Sequence, residues 1–265
     1  MVFSITESYS DVFTNRLIVG IHELTQEKTD LFWEIFGLPS NMITLKSSQK
    51  SRPYVTVRPG SGIYASASDS SSSGWPHASV GFRAYRINPS GTRINGFTTA
   101  GHVGMTMSRL YRTGTLVGNL YDYRYEGTSD FAFYDATSGT TLSNITAYSD
   151  DMGNDSDVVS LDASYVLTNN VSYNSLIMKV GSRTFYSHGY LVDTNYTAHY
   201  DDAIITNLIR TSAKALAGDS GGAVFVEYGG KYCILGNISG GDGTYSYVTK
   251  FEIARTALDS TIYLY

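Results

Sequence analysis

From about Gly60 to the C-terminus, the chain is a series of short apolar runs separated by turn residues. "ASVGFRAYRI", "RINGFTTA", "GTLVGNLY", "SDFAFYDA", "DAIITNLIR", "GAVFVEYGG", "KYCILGNISGG" and "YSYVTKF" are of this kind. Such spacing leaves no room for long helices. It predicts many short strands joined by tight turns, in an all-β barrel or sandwich. The 22 tyrosines suit half-buried pleated surfaces. The tail "KFEIARTALDSTIYLY" predicts a short helix and one last strand.

The first 50 residues are patterned differently. "NRLIVGIHEL" reads as a strand, and "MITLKSS" as another. Between them, Thr25 is placed to cap a helix and Glu27 favours its positive end. Leu31, Phe32, Ile35 and Phe36 share one face, and Gly37 and Pro39 stop the helix. The sequence therefore divides into a small α+β segment, residues 1–57, and an all-β domain, residues 58–265. The change falls between Gln49 and Gly60. "SASDSSSSGWP" reads as a serine-rich loop.

The chain has 265 residues, enough for one large domain with a small appendage. A net charge of −5 argues against nucleic-acid binding. No apolar run is long enough to cross a bilayer, so no membrane association is expected. The single cysteine, Cys233, rules out an intramolecular disulfide and a cysteine-based zinc site. No metal-ligand spacing and no phosphate-cradling loop is present, so no cofactor is expected. "MVFSITESYS" lacks the basic and apolar regions of a signal peptide. The five Asn-x-Ser/Thr sequons (Asn144, Asn154, Asn170, Asn195, Asn237) are what chance gives in a chain this rich in Asn, Ser and Thr.

One stretch stands apart. "ALAGDSGGAVF" sets an acid, a serine and three glycines between apolar runs. A serine hydroxyl needs a base within hydrogen-bond reach to act as a nucleophile, and the base needs a fixed tautomer. Of the five histidines, His102 ends a strand in "GFTTAGHVG" and leads into a glycine-containing turn. A rigid scaffold presents reactive side chains at such strand ends. His188 and His199 read as structural.

"TTAGHVG" resembles the Thr-Ala-Gly-His box of the chymotrypsin-like serine peptidases, and "AGDSGGAV" their Gly-Asp-Ser-Gly-Gly box. "GTSDFAFYDA" lies between the two, so the order His, Asp, Ser also matches. Within that family the bacterial streptogrisin and α-lytic protease branch is most similar, from about Gly60 to Tyr265. Supporting stretches are "VGSRTFYSHGYLV", "GNISGGDG" and "VTKFEIARTALDSTIYLY". Val103 and Ala223 depart from the branch, which has Cys after the histidine and Pro after the Gly-Gly pair.

The resemblance implies two six-stranded antiparallel β-barrels with a cleft between them. It implies a serine endopeptidase with Ser220 as nucleophile, His102 as general base and Asp130 as the acid that orients it. Asp122 and Asp135 compete for the last role: Asp122 sits in the Tyr-rich "YDYRYEG", read as a solvated loop, and Asp135 ends a strand. Gly218 and Ser220 would supply oxyanion-hole N–H groups, with Asp219 holding the loop. Ser239, Gly240 and Gly241 would pair with an extended polypeptide substrate, and Lys214, Ala215 and Leu216 would form the pocket base. A secreted monomer is implied. Residues 1–57 resemble a pro-region, expected to pack on the peptidase domain; cleavage near Arg58 would release it, and a surface layer that stays attached is the alternative. A non-catalytic peptide-binding module on the same fold is the alternative. A lipase or esterase is disfavoured, because a strand follows "GDSGG" and the order Ser, Asp, His is not met.

Overall fold

The computed structural model describes residues 4–48, 55–71, 76–149 and 155–265. The chain forms two compact units, Met1–Pro53 and Tyr54–Tyr265.

In the first unit a hairpin, Ile5–Asp11 and Arg16–His22, is extended by Ile43–Ser48, which runs parallel to the second strand. A parallel neighbour requires a crossover, and the helix Gln26–Phe36 supplies it. Thr25 caps that helix by accepting from the Lys28 N–H. Gly37 closes it in the left-handed conformation, its N–H bonded to the Trp33 carbonyl. Phe32 packs on Val19, Ile21 and Ile43. Leu31 is half-buried, whereas Ile35 and Phe36 are exposed, so only part of the expected apolar face is used. The strand Ile5–Asp11 was not evident beforehand, because most of its residues are polar.

The second unit is almost entirely β. Its first sheet has six strands in the order Tyr263–Leu264, Arg83–Ile87, Arg93–Thr99, Ser129–Ala136, Thr115–Glu126, Arg109–Arg112. The second sheet closes into a barrel: Leu176–Gly181, Phe185–His199, Ile204–Thr211, Ser246–Lys250, Lys231–Gly241, Ala223–Tyr228. All neighbours in both are antiparallel. The two sheets share an apolar interface that includes Phe131 and Phe133 from the first, Phe82 just ahead of its strand Arg83–Ile87, and Met178, Val180 and Phe225 from the second. Phe251, from the short helix Phe251–Ala254, packs edge-on against Phe82 in the same layer.

Three local expectations differ. "YDYRYEG" is not a loop but the end of the strand Thr115–Glu126, its tyrosines half-buried. Part of the serine-rich stretch, Ala67–Ser71, is a short helix. The residues after the strand ending at Thr99 form the helix Gly101–Thr106 rather than a turn.

Val55–Val57 pairs in parallel with Thr140–Leu142 in the second unit. Val55 and Val57 are buried in the core of the first sheet. A protein beginning at Gly60 loses both side chains from that core. We expect it to be less stable than one beginning at Tyr54 by about 3–6 kcal/mol, from the usual 1.5–3 kcal/mol for each buried valine. Urea unfolding of the two forms checks this.

Candidate active site

Asp130 sits near the start of the strand Ser129–Ala136 and is fully buried. A buried carboxylate must be matched by donors. Its Oδ1 accepts the His102 backbone N–H at 2.9 Å. Its Oδ2 lies 2.9 Å from His102 Nδ1 and accepts from Ser239 Oγ at 2.5 Å. Its own backbone N–H reaches Thr249 Oγ1, across the interface between the sheets. With Nδ1 donating to the carboxylate, Nε2 is left as the free lone pair.

His102 lies in the first turn of its helix, and the ring is partly exposed. Burial works against the charged ring. The hydrogen bond and charge of Asp130, with a contribution from the charge of Asp202, outweigh it and hold the imidazole above its usual range.

The competing acids are engaged elsewhere. Asp135 forms a two-pronged ion pair with Arg86 at 2.6 and 2.9 Å, and the same guanidinium stacks on Tyr121. Asp122 accepts the backbone N–H groups of Tyr123 and Asp259.

The "GDSGG" segment is a tight loop held from below by Asp219, also fully buried. Asp219 accepts the N–H groups of Arg183, Thr184 and Leu216 at 2.8, 3.0 and 2.9 Å. Lys179, buried beside it, places Nζ 3.4 Å from Oδ2 and also bonds Thr184 Oγ1. Burial lowers the Lys179 pKa, and the Asp219 charge opposes that shift. The Gly218 carbonyl is fixed inward by Ser79 Oγ at 2.7 Å and Ser182 Oγ at 3.0 Å.

Two glycines are sterically required. Gly218 has φ +103°, a conformation closed to most side chains. Gly221 has φ +86°, and a Cβ there would fall 1.9 Å from Thr99 Oγ1 and 2.7 Å from the Ala100 nitrogen. The serine loop is thus seated directly on the end of the strand Arg93–Thr99, two residues before Gly101. Asn237 joins the same contact, donating to Thr98 Oγ1 and to the Gly221 carbonyl. Among the described residues, neither Gly218 nor Ser220 donates its backbone N–H to another group of the chain.

His102 and Ser220 line one cleft of about 640 Å³, together with Tyr125, Tyr200, Ala215, Leu216, Ser239, Gly240 and Gly241. Lys214 is exposed and does not line it; its carbonyl accepts from Thr184 and Ser187. A Cβ on Gly241 would come 2.6 Å from the Tyr245 carbonyl oxygen and 3.5 Å from that of Ala215. Ser239 turns its hydroxyl to Asp130 and shares a 2.9 Å hydrogen bond with Tyr200 Oη. His188 and His199 are exposed and away from the cleft. No group of three His, Cys, Asp or Glu among the described residues could hold a metal. No helix among them is long and apolar enough to cross a membrane.

No protein-family model matches the chain. Streptogrisin-C of Streptomyces griseus is 29% identical over 251 residues, covering 89% of this chain and 48% of that protein. The chain thus spans about half the length of the curated relative it matches. Protease A of Thermobifida fusca superposes with a TM-score of 0.61 at 22% identity, over 80% of this chain and 100% of that one. A glutamic-acid-specific serine protease superposes with a TM-score of 0.60 at 26% identity, over 78% and 100%. This chain resembles the bacterial chymotrypsin-like serine peptidases in sequence and has their fold.

Sequence reasoning named His102, Asp130 and Ser220, with Asp219 as the loop anchor, and gave Ser239 to the substrate rather than to Asp130. It passed over Lys179 and the hydroxyls of Ser79, Ser182 and Tyr200, which come from three separate stretches of the chain. Lys179→Met leaves the Asp219 carboxylate buried without its cation, a loss typically worth about 3–5 kcal/mol. We expect that variant to unfold at markedly lower denaturant. In whatever remains folded, hydrolysis of an ester substrate should lose kcat more than KM, as the serine loop loosens. Urea unfolding with steady-state kinetics checks both.

Proposed function

We propose that the chain is a serine endopeptidase in which Ser220 attacks a peptide carbonyl. His102 would take the serine proton at Nε2 and return it to the leaving amine. Asp130 would hold the imidazole in that tautomer and stabilise the imidazolium. The N–H groups of Gly218 and Ser220 would receive the oxyanion, where charge develops in the transition state. Water would then hydrolyse the acyl-enzyme by the same steps in reverse. The observation that carries this reading is the buried Asp130 carboxylate paired with a His102 ring that opens onto a cleft Ser220 also lines.

Ser239, Gly240 and Gly241 would form the edge to which an extended polypeptide adds as a strand. The Ala215–Leu216 wall facing Gly241 contains no acid, which suits an uncharged side chain at the residue whose bond is cut. The resemblance to the streptogrisin and α-lytic protease branch implies a secreted location. Residues 1–57 are expected to be a pro-region; because Val55 and Val57 belong to the core of the second unit, the part ahead of Tyr54 would fill that role, able to assist folding or to inhibit. Its separate core and the exposed Ile35, Phe36, Leu38 and Met42 support that role. The N-terminal piece, added in trans to a chain beginning at Tyr54, should speed its refolding or inhibit it; no effect on either would overturn this assignment.

A fluorophosphonate probe separates an enzyme from a peptide-binding module on the same fold. We expect it to label the wild type and to spare Ser220→Ala. Asp130→Asn should lower kcat by about ten-thousand-fold through the wrong tautomer. Near-normal turnover in that variant would reassign the orienting acid.

The pH profile gives a separate check. Catalysis by His102 needs the neutral ring, and its pKa is held up. The acid limb of kcat/KM should therefore lie above the ordinary histidine value of about 6.5. Removing the Asp202 charge lowers the His102 pKa, so Asp202→Asn should move that limb to lower pH. A limb that stays in place would show that the Asp202 charge does not reach the imidazole.

A further inference from the structure

The cleft is lopsided in charge. Its His102 side is lined by Tyr125, Tyr200, Asp201 and Asp202, and no lysine or arginine is found among the described lining residues. Neither Asp201 nor Asp202 forms an ion pair with a described base, and both are exposed. Asp202 is nevertheless fixed in place. Tyr125 Oη donates to its Oδ1 at 2.7 Å, which uses one of its two oxygens. The Tyr125 ring lies 5.6 Å from that of His102 and 6.2 Å from that of Tyr200, a continuous aromatic wall. The loop carrying Asp202 is anchored as well. Thr206 donates its N–H to the Gly127 carbonyl at 2.7 Å, tying the hairpin after Tyr125 to the second barrel. The Asp202 charge also reaches His102, whose pKa it helps to raise.

An extended peptide presents successive side chains to opposite sides. If the residue attacked by Ser220 points between Ala215 and Gly241, the residue before it points to the opposite wall, where His102, Tyr125 and Tyr200 stand. Building on the peptidase reading, we propose that this wall selects a lysine or arginine side chain at the residue immediately N-terminal to the attacked one. Its cation would lie beside Asp202 and Asp201, with its stem and charge against the tyrosine faces. Asp202 is the principal specificity residue, because Tyr125 already holds its carboxylate in position.

The test uses the full chain and peptides identical except for lysine, alanine or glutamate at that residue. An exposed ion pair and a cation–π contact together predict a kcat/KM for the lysine peptide about three- to tenfold above that for alanine. Glutamate should fall below alanine. The preference should shrink as salt is raised to about 0.5 M, because exposed charges are screened. Asp202→Asn should bring the lysine-to-alanine ratio close to one. The ratio is the quantity read, since a changed His102 pKa affects all three peptides alike. Dissociation constants of the same peptides for Ser220→Ala read the preference without turnover. If no peptide is cleaved in a Ser220-dependent way, the peptidase reading fails, and those constants still decide the subsite. If lysine and alanine peptides are cleaved and bound equally, or if Asp202→Asn keeps the preference, the carboxylates are only a solvated loop and the proposal is wrong.

Discussion

The site depends on one buried carboxylate shared by two sheets. Asp130 belongs to the first sheet, yet it accepts Ser239 Oγ from the second, and its backbone N–H reaches Thr249 there. Both second-sheet partners are themselves buried. An ionised carboxylate with no water must have its donors in place or it destabilises the fold. Asp130 is therefore satisfied only when the two sheets are docked in one register. That register also brings the His102 helix opposite the serine loop. The arrangement proposed for catalysis is the one that also satisfies the buried charge.

Asp219 imposes a similar constraint within the second barrel. Three backbone N–H groups from two segments converge on it, with Lys179 alongside. The serine loop cannot relax without stranding these groups. Gly221 then presses that loop onto Thr99 and Ala100, at a distance that admits no side chain. The two sequence boxes are thus in direct contact through backbone. A one-residue change in the Asp219–Gly222 turn would move the proposed nucleophile relative to His102, and even small misplacements cost large rate factors.

Turn residues and period-two runs made the all-β class legible, and the boxes around His102 and Ser220 were legible as local strings. Asp130 was legible only in part, because Asp122 and Asp135 lie close by in sequence and look equally available. What separates them is tertiary: Arg86 takes up Asp135, and the Asp259 backbone N–H takes up one oxygen of Asp122. Reading "YDYRYEG" as a loop failed because three tyrosines alternating with charges look solvated. In fact the strand carries half-buried tyrosines, and Tyr125 among them becomes part of the cleft wall. The strand Ile5–Asp11 was missed for a related reason, since ladder hydrogen bonds to Arg16–His22 hold it without an apolar face.

A chain with one cysteine can form no intramolecular disulfide, and cation–aromatic contacts stand at points where segments distant in sequence meet. Arg86 pairs with Asp135 while stacking 3.7 Å from the Tyr121 ring centroid, tying three strands of the first sheet. Arg83 and Arg93 both stack on Tyr265, and the Arg83 guanidinium also donates to the Tyr265 backbone carbonyl. The C-terminal strand is thereby fastened to the sheet edge that it covers, Arg83–Ile87. Each such contact contributes only about 0.5–2 kcal/mol, less than the 2–4 kcal/mol typical of a disulfide. Unlike a disulfide, it does not restrict the unfolded chain and does not depend on an oxidising compartment. Cys233 fits the same scheme: buried near Ser164, it serves as a small apolar side chain in the core of the second barrel.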